Sequence, residues 1–271
     1  SPATNIPSKY ELVAPPSNAS GTMTVAQIVV TYYYRLKESG VDVHYYIEGT
    51  TDKVSEDKTI NGKVDTPYTT SPATDVPEQY ELIATPSNST GKMTESRITV
   101  IYYYRLKSYP YTVNYLEKGT NTVLHEPKQG GAQVYGTTIT ASNEKIDIDG
   151  YNLDSYDKTT LTIGTGNNVI NIYYTKKTNL TYTVNYLESV TNKVLHEPKV
   201  QDGTTFETKI NAEDEVIDIE GYNYDYPDKY ELIIGTGANV INIYYTKVTG
   251  LSYTINYLEK GTNKKLFPSD N

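Results

Sequence analysis

The chain is 271 residues long, carries a formal net charge of −9, and holds 29 Tyr and 2 Phe but neither Trp nor Cys. An acidic balance argues against nucleic acid, whose phosphates need Lys and Arg, and the lack of Cys excludes disulfides, thiolate metal sites and cysteine nucleophiles. Tyrosine makes up so much of the 37% hydrophobic share that few aliphatic residues remain for one deep core, which predicts several small domains.

No stretch approaches the roughly 18 apolar residues of a membrane span, so no membrane insertion is expected of this segment. No signal peptide opens the chain, which leaves a cytosolic protein or an excised fragment of a secreted one.

Internal repeats organise everything that follows. Ser1-Pro-Ala-Thr4 returns as Ser71-Pro-Ala-Thr74, and Tyr32-Tyr-Tyr-Arg-Leu-Lys37 returns as Tyr102 to Lys107, a step of 70. Farther on, Tyr111-Thr-Val-Asn-Tyr-Leu-Glu117 returns at Tyr182 and, with Ile for Val, at Tyr253, a step of 71. Two sequence types therefore share one plan. The expected division is 1–38 (the second half of a repeat), 39–108, 109–178 and 179–249 (complete repeats), and 250–271 (the start of another). A register starting at Ser1, Ser71 and near Ala141 is the alternative; the linker-like triplets favour the first.

In chain order, Ile28 to Leu36 alternates apolar and polar residues, which predicts a strand with one buried face. Glu38-Ser-Gly40 reads as a short connector, as do Ser108-Tyr-Pro110, Lys177 to Leu180, and Val248 to Leu251. Connectors this short are not flexible tethers. Val41 to Ile47 is a predicted first strand, Val54 to Val64 a second and Tyr80 to Ala84 a third. The Thr/Pro segment from Asp65 to Glu78 is too broken by Pro67, Pro72 and Pro77 for a long helix. Ile98 to Leu106 is the last and strongest strand.

The alternation sorts the tyrosines. Tyr32, Tyr34, Tyr102, Tyr104, Tyr174 and Tyr245 fall on the predicted core faces. Tyr33, Tyr103, Tyr173 and Tyr244 recur on the opposite face, where a ring could stack on a sugar and its hydroxyl could bond to ring substituents. These four are the ligand-binding candidates. The simpler account is that they cover the second face of the sheet against the Pro/Thr segment or a neighbouring repeat.

Catalytic and cofactor chemistry finds little support. His125 and His196 are one repeat position inside Leu-His-Glu-Pro, and His44 stands alone, so no H-E-x-x-H spacing exists. Asp147, Asp149, Asn152 and Asp154 invite a calcium reading, with oxygen donors around Gly150. Placing Gly150 sixth in such a loop, however, puts Lys145 first and Tyr156 twelfth, which argues against calcium. Ile163-Gly-Thr-Gly-Asn-Asn-Val169 reads as a hairpin turn using positive φ, not a phosphate cradle. No enzyme, metal or cofactor is expected.

The chain resembles the MucBP (mucin-binding protein) repeats of Gram-positive surface adhesins. The shared marks are the opening Val-x-Val-x-Tyr strand leading to Gly-Thr, the stretch Gly62-Lys-Val-Asp-Thr-Pro-Tyr68, a Tyr-x-Leu strand, and a Val/Tyr-rich closing strand ending on Lys. The resemblance implies an α+β, strand-dominated fold of tandem β-grasp-like (ubiquitin-like) repeats, about 70 residues each and arranged end to end as a rod. It also implies an extracellular, cell-wall-anchored parent protein that binds host mucin or another glycoprotein, or spaces a binder from the cell. The 71-residue repeats depart from the family pattern at Ile146 to Tyr151 and Val216 to Tyr222, which bears on binding more than on fold. The partial repeats at the two ends also offer unpaired strands, and head-to-tail pairing of copies is a third expectation.

Overall fold

The structure, a computed structural model, describes residues 1–270. Within 38–107 a four-stranded sheet forms, in the spatial order Lys58–Lys63, Glu38–Ile47, Ile98–Leu106, Tyr80–Leu82. The two central strands are parallel, with Val41 opposite Ile98 and Ile47 opposite Tyr104, and both outer strands are antiparallel to their neighbours. Parallel neighbours need a long crossover. That crossover carries a small second sheet, Pro67–Thr69 with Thr90–Lys92.

Both 71-residue repeats repeat this plan. In the fourth, the order is Val194–Thr204, Leu180–Glu188, Asn239–Lys247, Tyr222–Pro227, with Lys209–Asn211 and Glu231–Ile233 as the small sheet. The third has Val123–Val134, Ser108–Glu117, Val169–Lys176 and Tyr151–Tyr156 in the same order. Toward the ends, Tyr10–Leu12 pairs with Tyr34–Leu36, and Ile255–Leu258 with Lys265–Asp270.

Four expectations change. The helical component reduces to two 3-10 turns among the described residues, Ala141–Asn143 and Ala212–Glu215. Prolines at 67, 72 and 77 forbid a helix in the second repeat, and the Ile-Asp-Ile alternation favours extended chain in the later ones. The strand expected over Ile28 to Leu36 survives only at Tyr34–Leu36. Among the described residues no strand pairs with Ile28 to Tyr33. The segment at 163–169 is no hairpin, because Thr160–Thr162 and Val169–Lys176 belong to different sheets.

The fourth change concerns the connectors. Glu38 to Gly40 and Ser108 to Pro110 are strand, not linker, and Glu38, Ser39 and Gly40 pair with Lys63, Gly62 and Asn61. At these two junctions the break between repeats shrinks to a single lysine, Lys37 or Lys107, whereas Lys177 to Asn179 stays outside the strands at the third. Lys37 N–H donates to Lys9 O at 2.9 Å in the repeat behind it, and Lys37 O accepts from Val64 N–H at 3.1 Å in the repeat ahead. Lys107 repeats this with Gln79 O (2.8 Å) and Tyr135 N–H (2.9 Å), and Lys177 with Gly150 O (2.9 Å) and Phe206 N–H (2.8 Å). A residue whose donor and acceptor are both held in this way has little backbone freedom left.

Each core is thin and tyrosine-filled. In the second repeat Val41, Val43, Tyr45, Tyr68, Met93, Val100, Tyr102 and Tyr104 form one buried cluster. In the fourth, Tyr182, Val184, Tyr186, Ala212, Leu232, Ile234, Ile241, Ile243 and Tyr245 do the same. Of the six tyrosines expected to face inward, Tyr102, Tyr104, Tyr174 and Tyr245 are buried, and Tyr32 and Tyr34 are half-buried.

The hydroxyls explain why these residues are Tyr and not Phe. Tyr45 donates to Ser71 O (3.2 Å), Tyr68 donates to Asn88 O (3.0 Å), and Tyr104 accepts from Ala73 N–H (3.0 Å). Tyr245 both donates to Ile217 O (2.9 Å) and accepts from Ile217 N–H (3.1 Å), as Tyr174 does with Ile146. These bonds satisfy main-chain groups of the crossover that helix hydrogen bonds would otherwise hold.

Burial raises the phenol pKa of Tyr45, Tyr104, Tyr174, Tyr186 and Tyr245. Unfolded tyrosines ionise near pH ~10. Above that pH the unfolded chain holds fewer protons than the folded one, so stability falls as pH rises. The tyrosine contribution is therefore complete below about pH 10 and is lost above it. An alkaline titration should show exposed tyrosines ionising first, then a cooperative rise in phenolate absorbance coincident with loss of the strand circular dichroism. Ionisation of every tyrosine at about pH 10 with the fold intact would refute this.

Candidate ligand-facing tyrosines

The candidate tyrosines all stand on closing strands or their continuation, one residue from a core tyrosine, so the pleat turns them to the other face. The structure places them in two different settings. Tyr33 and Tyr103 are 70% and 40% exposed, while Tyr173 and Tyr244 are half-buried.

The difference lies in the neighbouring strand. In the 70-residue type, Tyr80–Leu82 is three residues long, and the chain then leaves through Ile83, Ala84, Thr85 and Pro86. In the 71-residue type the equivalent strand runs for six residues. Past a bulge, Ser155 lies opposite Tyr173 and Tyr226 opposite Tyr244. The Tyr226 ring stacks on Tyr244, with centroids 4.9 Å apart and planes at 29°.

The calcium candidates are partly engaged by side chains. Asp154 takes the ammonium of Lys118 at 2.5 Å and the hydroxyl of Ser155 at 2.6 Å, and Asp149 accepts from Thr236 Oγ1 at 2.9 Å. Lys118 holds the Asp154 carboxyl below its ordinary pKa. No group of three or more His, Asp or Glu that could hold a metal ion occurs among the described residues.

The histidines have local partners. His125 and His196 place Nδ1 3.0 and 2.9 Å from the carbonyls of Glu126 and Glu197, and their rings meet Tyr115 and Tyr186 edge-on. His44 stacks on Tyr46 with Nδ1 3.0 Å from Asp57 Oδ2.

Two sets of residues escaped sequence reasoning. Asn168 and Asn239 are buried and shape the Gly-rich turns: Asn168 Oδ1 accepts from Gly164 N–H (2.8 Å), and its Nδ2 donates to Gly164 O (3.1 Å) and Pro110 O (3.2 Å). Asn239 makes the same bonds to Gly235 and Thr181. Both stood in plain view at one repeat position. Glu215 is the other: a buried carboxylate taking the Tyr182 hydroxyl at 2.8 Å and the Lys199 ammonium at 2.5 Å. That bond to Glu215 raises the Lys199 pKa.

Comparison with known proteins fits this repeat architecture. The model of the MucBP domain matches residues 1–35, 40–105 and 110–175, more than half of the chain. The chain belongs to the MucBP domain family. Residues 182–247 lie outside the match but repeat the third unit at a step of 71. Internalin J of Listeria monocytogenes serotype 4b (strain F2365) is 32% identical over 219 residues, covering 78% of this chain and 23% of the relative. Internalin J of serovar 1/2a (strain ATCC BAA-679 / EGD-e) is 33% identical over 178 residues, covering 63% and 20%. The chain thus spans about a fifth of the length of these curated relatives.

Solved structures similar to the chain include Streptococcal High Identity Repeats in Tandem (SHIRT) domains 3-4 from a cell surface protein, at 12% identity. The likeness covers 52% of this chain and 98% of that one, with a TM-score of 0.28. A type 2 repeat of the mucus binding protein MUB from Lactobacillus reuteri is 14% identical, covers 51% and 99%, and has a TM-score of 0.19.

Proposed function

We propose that this chain is a tandem-repeat segment of a Gram-positive surface adhesin, extracellular and wall-anchored through its parent protein, and that it serves as a non-catalytic stalk. The observation that carries the reading is the lysine junction, where one residue bonds backward and forward through its main chain at Lys37, Lys107 and Lys177. Junctions without slack suit a spacer better than a flexible tether does. The MucBP domain match and the relatives named Internalin J support the adhesin setting.

The proposal includes the division at 1–38, 39–108, 109–178, 179–249 and 250–271, and an end-to-end rod. A β-grasp-like assignment is part of it too, supported by the mixed sheet with its first and last strands parallel at the centre. Deleting residues 109–178 from the parent protein should shorten the reach of surface binding and leave its affinity unchanged. Loss of affinity on that deletion would count against the stalk.

In the second reading, repeats bind mucin-type glycans or another host glycoprotein directly, through Tyr33, Tyr103, Tyr173 and Tyr244. The exposure of Tyr33 and Tyr103 favours keeping it. Retention of the whole chain on immobilised mucin would support it, and no signal across mucins and isolated glycans would sink it.

A further inference from the structure

Residues 1–107 hold two surface grooves built on one plan, which differ in that only the one at Tyr103 has a carboxylate in its lining. One, of about 330 Å3, lies between the loop Ile83 to Asn88 and the strand face of Ile101 and Tyr103, with Glu48 at its rim. The other, of about 420 Å3, lies 70 positions earlier, between Val13 to Asn18 and the face of Val29, Thr31 and Tyr33. Both volumes fall within the size range of small-ligand sites, roughly 300–1,000 Å3.

The same bonds build both grooves. Ile83 N–H donates to Tyr103 O at 3.0 Å and Val13 N–H to Tyr33 O at 2.9 Å, which starts the loop beside the tyrosine. Asn88 Nδ2 then returns to Thr99 O at 2.9 Å, and Asn18 Nδ2 to Val29 O at 2.8 Å, which closes the far side. Between these fastenings the loop turns at Pro86 and Pro16, whose carbonyls accept from Ser89 and Ala19 N–H at 3.0 and 2.9 Å. The result is a pinned loop facing an exposed phenol ring.

Neither 71-residue repeat contains the Pro-Ser-Asn loop, and in the fourth repeat Tyr226 covers Tyr244.

We propose that the Tyr33 and Tyr103 grooves are paired sites for the terminal residue of a neutral glycan, and that the 71-residue repeats only space them. The inference rests on the adhesin reading above and deepens it. An exposed phenol face and the apolar Ile83 and Ile101 suit the C–H face of a pyranose, while Ser87 and Glu48 at the groove suit its hydroxyls. The charge decides the sugar class. Glu48 is exposed at the rim of the Tyr103 groove, the Tyr33 groove has no carboxylate in its lining, and the chain carries −9, so an acidic sugar would meet like charge, most strongly at the Tyr103 groove.

The test titrates the whole chain with a galactose-terminated oligosaccharide and with its sialylated counterpart. Three proteins are compared: wild type, Tyr33→Ala/Tyr103→Ala, and Tyr173→Ala/Tyr244→Ala, with near-ultraviolet circular dichroism as the folding control. The expected result is binding of the neutral glycan by wild type and by the second variant, with at least tenfold weaker binding by the first. Glu48→Gln, which tests the charge argument without touching a tyrosine, should narrow the gap between neutral and sialylated glycans. A preference for the sialylated glycan, equal loss in both tyrosine variants, capture of deglycosylated mucin polypeptide alone, or no binding would each overturn the proposal. None of these outcomes bears on the deletion test of the stalk, so the two readings fail separately.

Discussion

Tyr245→Ala should strip much of the stability from the fourth repeat while leaving that of the second unchanged. Tyr245 is 1% exposed, packs among Ile241, Ile243 and Tyr186, and holds both main-chain groups of Ile217. Truncating a buried aromatic to Ala costs about 3–5 kcal/mol. A repeat of ~70 residues has roughly 3.5–10 kcal/mol of stability to lose. Tyr245→Phe separates the two parts of that cost: it keeps the ring but strands the Ile217 N–H and C=O, at about 1–3 kcal/mol. Residue-resolved hydrogen exchange is the measurement. Amides of Leu180–Glu188 and Asn239–Lys247 should lose protection, and those of Glu38–Ile47 and Ile98–Leu106 should keep theirs. Uniform loss along the chain would mean that the cores are not separate.

The second large effect is expected at Gly150. Its φ of +79° lies in the left-handed region, and a Cβ there would sit 2.3 Å from the Phe206 ring. That ring meets Tyr151 edge-on at 5.6 Å, where the third and fourth repeats join through Lys177. The repeat supplies its own control, because Gly221 has a φ of +81° with nothing within 4 Å of its Cβ position. Gly221→Ala should cost only the backbone strain, about 1–2 kcal/mol. Gly150→Ala should cost that plus overpacking of about 1–3 kcal/mol. Urea unfolding of the two variants reads the difference directly. Equal midpoints would show that Phe206 gives way freely and that the junction is loosely packed.

Much of this was legible in the sequence, for physical reasons that also mark where legibility ended. The period of two over Ile98 to Leu106 specified the strand and its buried face, since alternation along a one-sided sheet has one solution. The connectors at Glu38 to Gly40 and Ser108 to Pro110 misled because Gly40 and Pro110 are ordinarily breakers. Gly40 is needed because a Cβ would lie 2.6 Å from both Ile60 O and Arg97 Nη1. Pro110 sits within Ser108–Glu117, where its carbonyl is bound by Asn168.

At the tyrosines, the face assignment followed from alternation, but exposure did not. Whether a ring on the second face meets solvent depends on how far the adjacent strand runs, three residues at Tyr80–Leu82 against six at Tyr222–Pro227. That length is set by the proline loop in one type and a bulge in the other, which no single-strand pattern encodes. The hydroxyl bonds to the crossover were likewise invisible, because they join residues 28 positions apart, as at Tyr245 and Ile217.

The stalk reading stands most directly on the junction amides of Val64, Tyr135 and Phe206, each donated to the carbonyl of a junction lysine. Native-state hydrogen exchange measures them one by one. The account predicts protection matching that of the neighbouring strand amides at all three. Exchange at the rate of an open linker would contradict it.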